Sequence, residues 1–331
     1  MPKFVGLIVG CIRLAGAALA RAQTPAPAQD ELDQRVRIVE RRREIEAEHA
    51  AQREETTPQF TAGKDGFALK SADGAFVLKL QGYVHLDGRF FDGAAASDTF
   101  LVRRARPILE GTVFKIFDFR LAPDFALGTT VLQDGYVEVR FLPALRLRAG
   151  KFKPPVGLER LQSATDLVFV ERAMPTNLVP NRDVGVQLAG DVANARLQYA
   201  VGLFNGVPDG GSGDSDNNDA KDVAARVFTQ PFAGGGGVAA DLGFGVAVSF
   251  GDQTGAVAAP NLPSFRTAGQ LVFFSYRSDG TAAGTSVADG SRTRVSPQAF
   301  FYRRHLGILA EYVESRQELR RGSTRAELTN H

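Results

Sequence analysis

Residues 77–91 set Lys79, Gln81, His85, Asp87 and Arg89 on one side of an extended chain and Leu78, Leu80, Val84, Leu86 and Phe90 on the other. A two-residue period belongs to a β-strand. The same alternation returns at 121–125, 133–141, 145–149, 184–188, 195–203 and 242–250, with turn residues between. Such strands can form a sandwich whose charged faces meet bulk water. They can also form a transmembrane barrel, apolar toward lipid and polar toward an aqueous lumen.

The charges favour the barrel. Arg104, Arg106, Glu110 and Thr112 share a face, with Ala105, Leu109, Gly111 and Val113 opposite; Arg103, on that opposite side near the strand end, is expected to turn to water. Asp118, Arg120 and Asp124 share a second polar face, Asp134, Tyr136, Glu138 and Arg140 a third, and Arg146 and Arg148 a fourth. Faces so charged cannot line a dry core, because each unpaired buried charge costs several kcal/mol. A water-filled lumen removes the difficulty. The 35 Gly and 24 Phe fit tight turns and aromatic girdles, and a net charge of only +2 argues against a nucleic-acid binder.

The N-terminus reads as an export signal over 1–22: Lys3, then an apolar stretch 4–20 interrupted by Arg13, then Ala20-Arg21-Ala22 as a cleavage site. Ile8-Val9-Gly10-Cys11 loosely resembles a lipoprotein box, but the apolar stretch before Cys11 is short for that processing. Cleavage after Ala22 leaves no cysteine and hence no disulfide framework. A Pro/Ala/Gln lead at 23–29 is expected to be disordered, and 30–57 reads as a periplasmic helix. Leu32, Val36 and Val39 fit one seam of a candidate coiled coil and Ile38 and Ile45 are seven apart, but the seam meets Arg43; a solvated helix with no fixed partner weighs equally. Residues 61–74 read as a polar connector. No run reaches the ~18–20 apolar residues of a spanning helix, so the membrane reading rests on strands.

The barrel is expected over 76–331, with about twelve strands near 76–91, 99–114, 115–126, 131–142, 144–153, 183–191, 194–204, 221–230, 241–251, 269–278, 291–302 and 305–316. Very short turns such as Pro143-Ala144 contrast with long connections at 153–182, 205–221 and 252–268, the asymmetry of outer-membrane barrels. The most pointed segment is 151–182. Lys151, Lys153, Arg160, Arg172 and Arg182 stand against Glu159, Asp166 and Glu171, beside an apolar run, 167–170, and Pro154-Pro155. A loop with both apolar anchors and cations is expected to fold inward, pack on the wall and present its charges to the channel. A ring of Arg and Lys in a narrow pore selects anions, and the planar guanidinium can donate two hydrogen bonds to an oxyanion such as phosphate. The alternative is ordinary salt bridging to Glu159, Asp166 and Glu171.

Several stretches resemble the phosphate-selective porin O/P family of Gram-negative outer membranes. They are Val102-Arg103-Arg104-Ala105 followed by Glu110-Gly111-Thr112, Gly150-Lys151-Phe152 through Gly157-Leu158-Glu159-Arg160, Glu171-Arg172, and Asp183-Val184-Gly185-Val186-Gln187. The resemblance implies a sixteen-stranded homotrimeric barrel in outer-membrane lipid, with an inward-folded loop and an Arg/Lys-lined constriction that binds phosphate weakly enough to pass it. It assigns anion contact to Arg103, Arg104, Arg160, Ser163 and Arg172. It gives Asp134 the role of keeping the anion from binding too tightly. Ala164 stands where a second serine is familiar and Arg106 where an aromatic is, which leaves phosphate against other anions open. Twelve visible strands against sixteen, and a Thr329-Asn330-His331 end without an aromatic, imply a barrel shortened at its C-terminus.

Other motifs fail. Asp214, Asp216 and Asn218 copy the start of a calcium loop, but Asp219 replaces its glycine and Ala225 its bidentate glutamate, so 210–222 reads as a flexible external loop. The four histidines lack metal-ligand spacing, and Ser163 has no nearby base; His85 reads as a solvated lumen residue. No cofactor and no enzymatic chemistry are expected. Three functions are weighed: an anion-selective diffusion porin passing phosphate, a general porin, and a structural tether using the N-terminal helix.

Overall fold

The computed structural model describes residues 27–331 apart from 65, 94, 95 and 217. The expected signal 1–22, with Cys11, and the first part of the expected lead lie outside the described residues. The chain divides into two compact units, 1–55 and 56–331. The first holds all but the last residue of helix α1, Pro27–Thr56, which begins inside the stretch expected to be a lead. Its apolar residues Leu32, Val36, Ile38, Val39 and Ile45 are exposed, and Arg41 donates to Glu44 at 2.9 Å across one turn.

The second unit is antiparallel sheet. β1 (Gln59–Gly63) and β2 (Gly66–Lys70) form a hairpin where a connector was expected. Its alternation lasts only three residues per arm, too short to register as a period, yet Phe60 and Phe67 stack at 6.3 Å. Then follow β3 (Val77–Arg89), β4 (Thr99–Val113), β5 (Phe117–Asp124), β6 (Val131–Leu142) and β7 (Leu145–Phe152). Beyond loop 153–182 come β8 (Asp183–Val192), β9 (Leu197–Phe204), β10 (Asp222–Thr229) and β11 (Leu242–Thr254). β12 (Ser264–Arg266) and β13 (Val272–Ser275) pair only with each other. The wall strand expected at 269–278 is therefore a loop hairpin: 271–274 is a continuous apolar run rather than an alternating one, and Phe274 stacks on Phe265 at 5.7 Å. The wall resumes with β14 (Ser286–Arg303), β15 (Leu306–Glu311), β16 (Glu314–Arg321) and β17 (Thr324–Asn330).

β15 and β16 are one physical strand. Both pair with β14, and the break falls where Tyr312 donates to the Pro297 carbonyl at 3.2 Å and Pro297 has no N–H to return. Counted so, twelve long strands run from β3 to β17. Turns 114–116, 143–144 and 304–305 close one end of the sheet, the first with positive φ at Phe114 and Lys115; loops 153–182, 205–221 and 255–285 leave the other.

Burial is inverted relative to a water-soluble domain. Leu86 is 75% and Phe100 82% exposed, while Arg104 is only 3% exposed; Lys151, Arg182, Arg292 and Arg294 are buried too. Apolar atoms outside and charges inside are what a lipid-facing wall around a polar interior requires. Aromatics mark both rims of the outer face, with Phe76, Phe114, Phe117 and Phe141 near the short turns and Phe90, Phe100, Phe125 and Phe250 near the loops. The sheet also curls. β4 and β15 are nine strand steps apart, roughly 43 Å in a flat sheet at ~4.8 Å per step. Yet Arg104 of β4 bonds Glu171, Arg172 bonds the Glu159 carbonyl, and the Glu159 amide reaches Glu311 of β15. A few side-chain lengths cannot bridge that distance unless the wall wraps around the loop.

Candidate functional site

Loop 153–182 starts at the end of β7 with Pro154 and Pro155, turns at Gly157 (φ 87°), and forms one helical turn, α2, at Leu158–Leu161. It returns through a 3-10 turn at Met174–Leu178 to β8. Val156, Leu178 and Val179 pack with Phe152 and Phe204 in an interior apolar knot. The run 167–170 is not an anchor: Val168 is 87% exposed, with Phe169 and Val170 close behind. Carboxylates do that work instead, because a loop crossing a polar interior is held better by hydrogen bonds than by aliphatic contact.

Glu171 is the first clamp. It accepts from Arg103 Nε at 2.6 Å and Arg104 Nη2 at 2.7 Å. Neighbouring residues of a strand ordinarily point to opposite faces, and Arg103 was expected to turn to water. A β-bulge overrides this: the register passes from His85↔Arg104 to Leu86↔Val102, leaving Arg103 as the extra residue. A bulge re-aims a side chain, so both guanidinium groups reach one carboxylate. His85 is also more than a solvated residue. Its Nδ1 lies 3.0 Å from Arg104 Nη1 and must accept, because the guanidinium can only donate.

Three other loop cations have no carboxylate partner among the described residues. Lys153 donates to the carbonyls of Gln162 (2.7 Å) and Leu161 (3.3 Å). Arg172 donates to the carbonyls of Gln162 (2.8 Å) and Glu159 (3.2 Å). Arg160 donates to Asn181 Oδ1 at 3.1 Å and to the Thr176 carbonyl, and its Nε is buried without an acceptor. Carbonyls satisfy geometry without forming an ion pair, and the carboxylates that act on these groups, Glu159 and Glu311 on Arg160, Glu159 and Glu171 on Arg172, and Asp134 on Lys153, do so from beyond ion-pair distance. Burial first, then repulsion from Arg182 and Arg172, pushes the Lys153 ammonium down to about 6. Burial and neighbouring guanidinium groups push Arg160 to about 9 and Arg172 to about 10, so both stay cationic at neutral pH.

The remaining candidates divide. Arg182, buried, donates to Asp134 at 3.1 Å, and Asp134 also faces Arg120 at 3.5 Å, so this acidic residue sits among the cations. Ser163 is exposed and bonds Thr165 at 2.8 Å. Lys151 pairs with Asp214, and Lys221 with Asp216 at 2.5 Å, so two acids of the calcium-like run hold lysines. Three polar cavities meet at Arg172. One of 240 Å³ adds Lys153, Ser163, Arg182 and Asp134; one of 190 Å³ adds Arg103, Arg104, Arg160 and Arg182; one of 420 Å³ adds Arg103, Arg160 and Arg266. Lys151 lines none of these three. Sequence reading missed Arg266, which Asn177 ties to the site by its backbone carbonyl at 2.9 Å, and Glu311, whose partners in the loop lie more than 150 residues away.

The sequence profile of the family described as phosphate-selective porin O and P matches residues 78–326, which takes in every strand from β4 to β16 and the whole of this loop. The chain belongs to that family. Among characterised porins it is similar to Porin O of Pseudomonas aeruginosa (strain PAO1), at 27% identity over 186 residues, covering 53% of this chain and 42% of that protein. The matched length is thus less than half of that porin.

Proposed function

We propose that this porin passes small anions, phosphate among them, by passive diffusion across the outer membrane through a constriction formed by loop 153–182 and the facing wall of β4. One observation carries the reading: Arg160 and Arg172 hold their places through carbonyl and amide oxygens rather than by ion pairs, so their positive charge remains available at polar cavities, and Lys153, mostly neutral at pH 7, joins them on acidification. An oxyanion entering there gains charge-assisted hydrogen bonds worth about 1.5–3 kcal/mol each. Asp134 within the cluster keeps the well shallow enough for release, which conduction requires. No covalent step is needed. The exposed seam of α1, with Leu32, Val36 and Val39, fits self-association of this chain as a trimer or, in a tethering role, attachment to a periplasmic partner. Deleting 27–56 separates these uses from the pore, since conductance then survives.

The test is the reversal potential of reconstituted channels in a salt gradient, with phosphate added against chloride. Anion preference and phosphate inhibition of the chloride current are expected. Cation preference overturns the assignment.

A further inference from the structure

Each of these three basic residues, held without an ion pair, leans on one short element. Arg160 is part of α2, Arg172 bonds the carbonyls of Glu159 and Gln162, and Lys153 bonds those of Leu161 and Gln162. The Glu159 carboxylate also accepts the Ala173 amide at 2.8 Å, which ties the outgoing arm of the loop to the returning one. Where α2 sits, the cations sit.

At a helix start the first amides have no acceptor within the helix, and here the acceptor comes from the opposite wall. Glu311, the last residue of β15, takes the Leu158 amide on Oε1 at 2.7 Å and the Glu159 amide on Oε2 at 3.2 Å; the Ser296 hydroxyl donates to Oε1 at 3.1 Å. Leu158 is buried, so water does not readily replace this acceptor. Glu171 fastens the returning arm to β4, and Glu311 fastens α2 to β15.

We infer that Glu311 is the positioning residue of the constriction: its two-oxygen grip on the α2 amides fixes the place of Arg160, Arg172 and Lys153 across the pore without touching the permeating anion. The inference rests on the channel reading above. Asp is one methylene shorter but keeps two equivalent oxygens; Gln keeps one acceptor and turns an NH2 toward the second amide; Ala keeps neither.

The full chain is reconstituted as wild type, Glu311→Ala, Glu311→Gln and Glu311→Asp, with folding checked by heat-modifiable gel mobility. Amide exchange of the 157–162 peptide is expected to accelerate by roughly tenfold or more in Glu311→Ala. Open-channel current noise should rise severalfold, and the inhibition constant for inorganic phosphate should weaken by about tenfold. Glu311→Gln should fall between, and Glu311→Asp nearest wild type. A residue needed only for wall stability would shift the melting of the barrel in all variants but leave noise and phosphate inhibition unchanged in the folded fraction, and that result overturns the inference. Should Glu311→Ala not fold, Ser296→Ala, which removes the hydroxyl donated to Glu311, must still speed exchange at 157–162 for the inference to stand. A wild type without anion preference whose α2 amides nonetheless loosen in Glu311→Ala would refute the channel reading and leave the anchor intact.

Discussion

Wall strands β5–β7 and loop 153–182 both carry arginine, in opposite electrical settings. Along β5–β7 the arginines face carboxylates one strand away: Arg120 meets Glu110 at 2.6 Å, Arg148 meets Glu138 at 2.8 Å, and Arg140 meets Asp118 at 2.5 Å, whereas Arg226 of β10 bonds only the Gln298 amide oxygen and the buried Arg292 guanidinium of β14 has no hydrogen-bond partner among the described residues. Antiparallel register brings opposite side chains within about 5 Å, so in these strands acids and bases pair across the rows. The loop doubles back on itself and offers mostly its own carbonyls, so its cations are held but not neutralised.

The largest effect that can break this contrast is Arg160→Ala with Arg172→Ala. The anion-to-cation permeability ratio should drop by about tenfold, since two charges and their oxyanion donors go together. A ratio unchanged in bilayer recordings would mean that the loop lies off the path. Next comes Glu171→Gln, which turns Arg103 and Arg104 from a paired wall element into free cations. Phosphate should inhibit the chloride current severalfold more strongly, while thermal unfolding monitored by gel mobility should reveal a loss of about 3 kcal/mol, the low end for a broken buried pair because Arg103 keeps some water.

A smaller, pH-dependent effect is expected from Lys153. With its ammonium depressed to about 6, it is roughly one-tenth protonated at pH 7 and about nine-tenths at pH 5. Acidification adds a cation beside Arg172, Arg182 and Asp134, so anion preference should rise by about twofold as pH falls through that window. Lys153→Met should flatten the curve; a slope that persists in that variant assigns the titration elsewhere. The smallest change belongs to the wall: Arg148→Gln with Glu138→Gln removes both members of a cancelled pair and should leave selectivity within about twofold.

Most of the wall was legible because strand alternation is a local property and survives on either side of a membrane. Arg160, Arg172, Lys153 and Arg182 were picked out for the same kind of reason, cations concentrated in one connection. What escaped was set by distance or irregularity. The bulge at Arg103 breaks parity without any glycine to announce it, and β1–β2 is too short to show a period. The run 167–170 looked like an anchor because apolar residues usually bury themselves, whereas Glu171 and Glu311 hold the loop through contacts 67 and 153 residues apart. No window of sequence contains both partners of such a bond.

Pro297 has one more consequence. Where it faces Tyr312 the ladder lacks a rung, as a wall strand also lacks an N–H at Pro107 and Pro123. The residue next to that gap is Glu311. A local opening there on heating or in harsh detergent should therefore also release the hold of Glu311 on α2, so conduction should lose its selectivity in the same step rather than fading gradually before it.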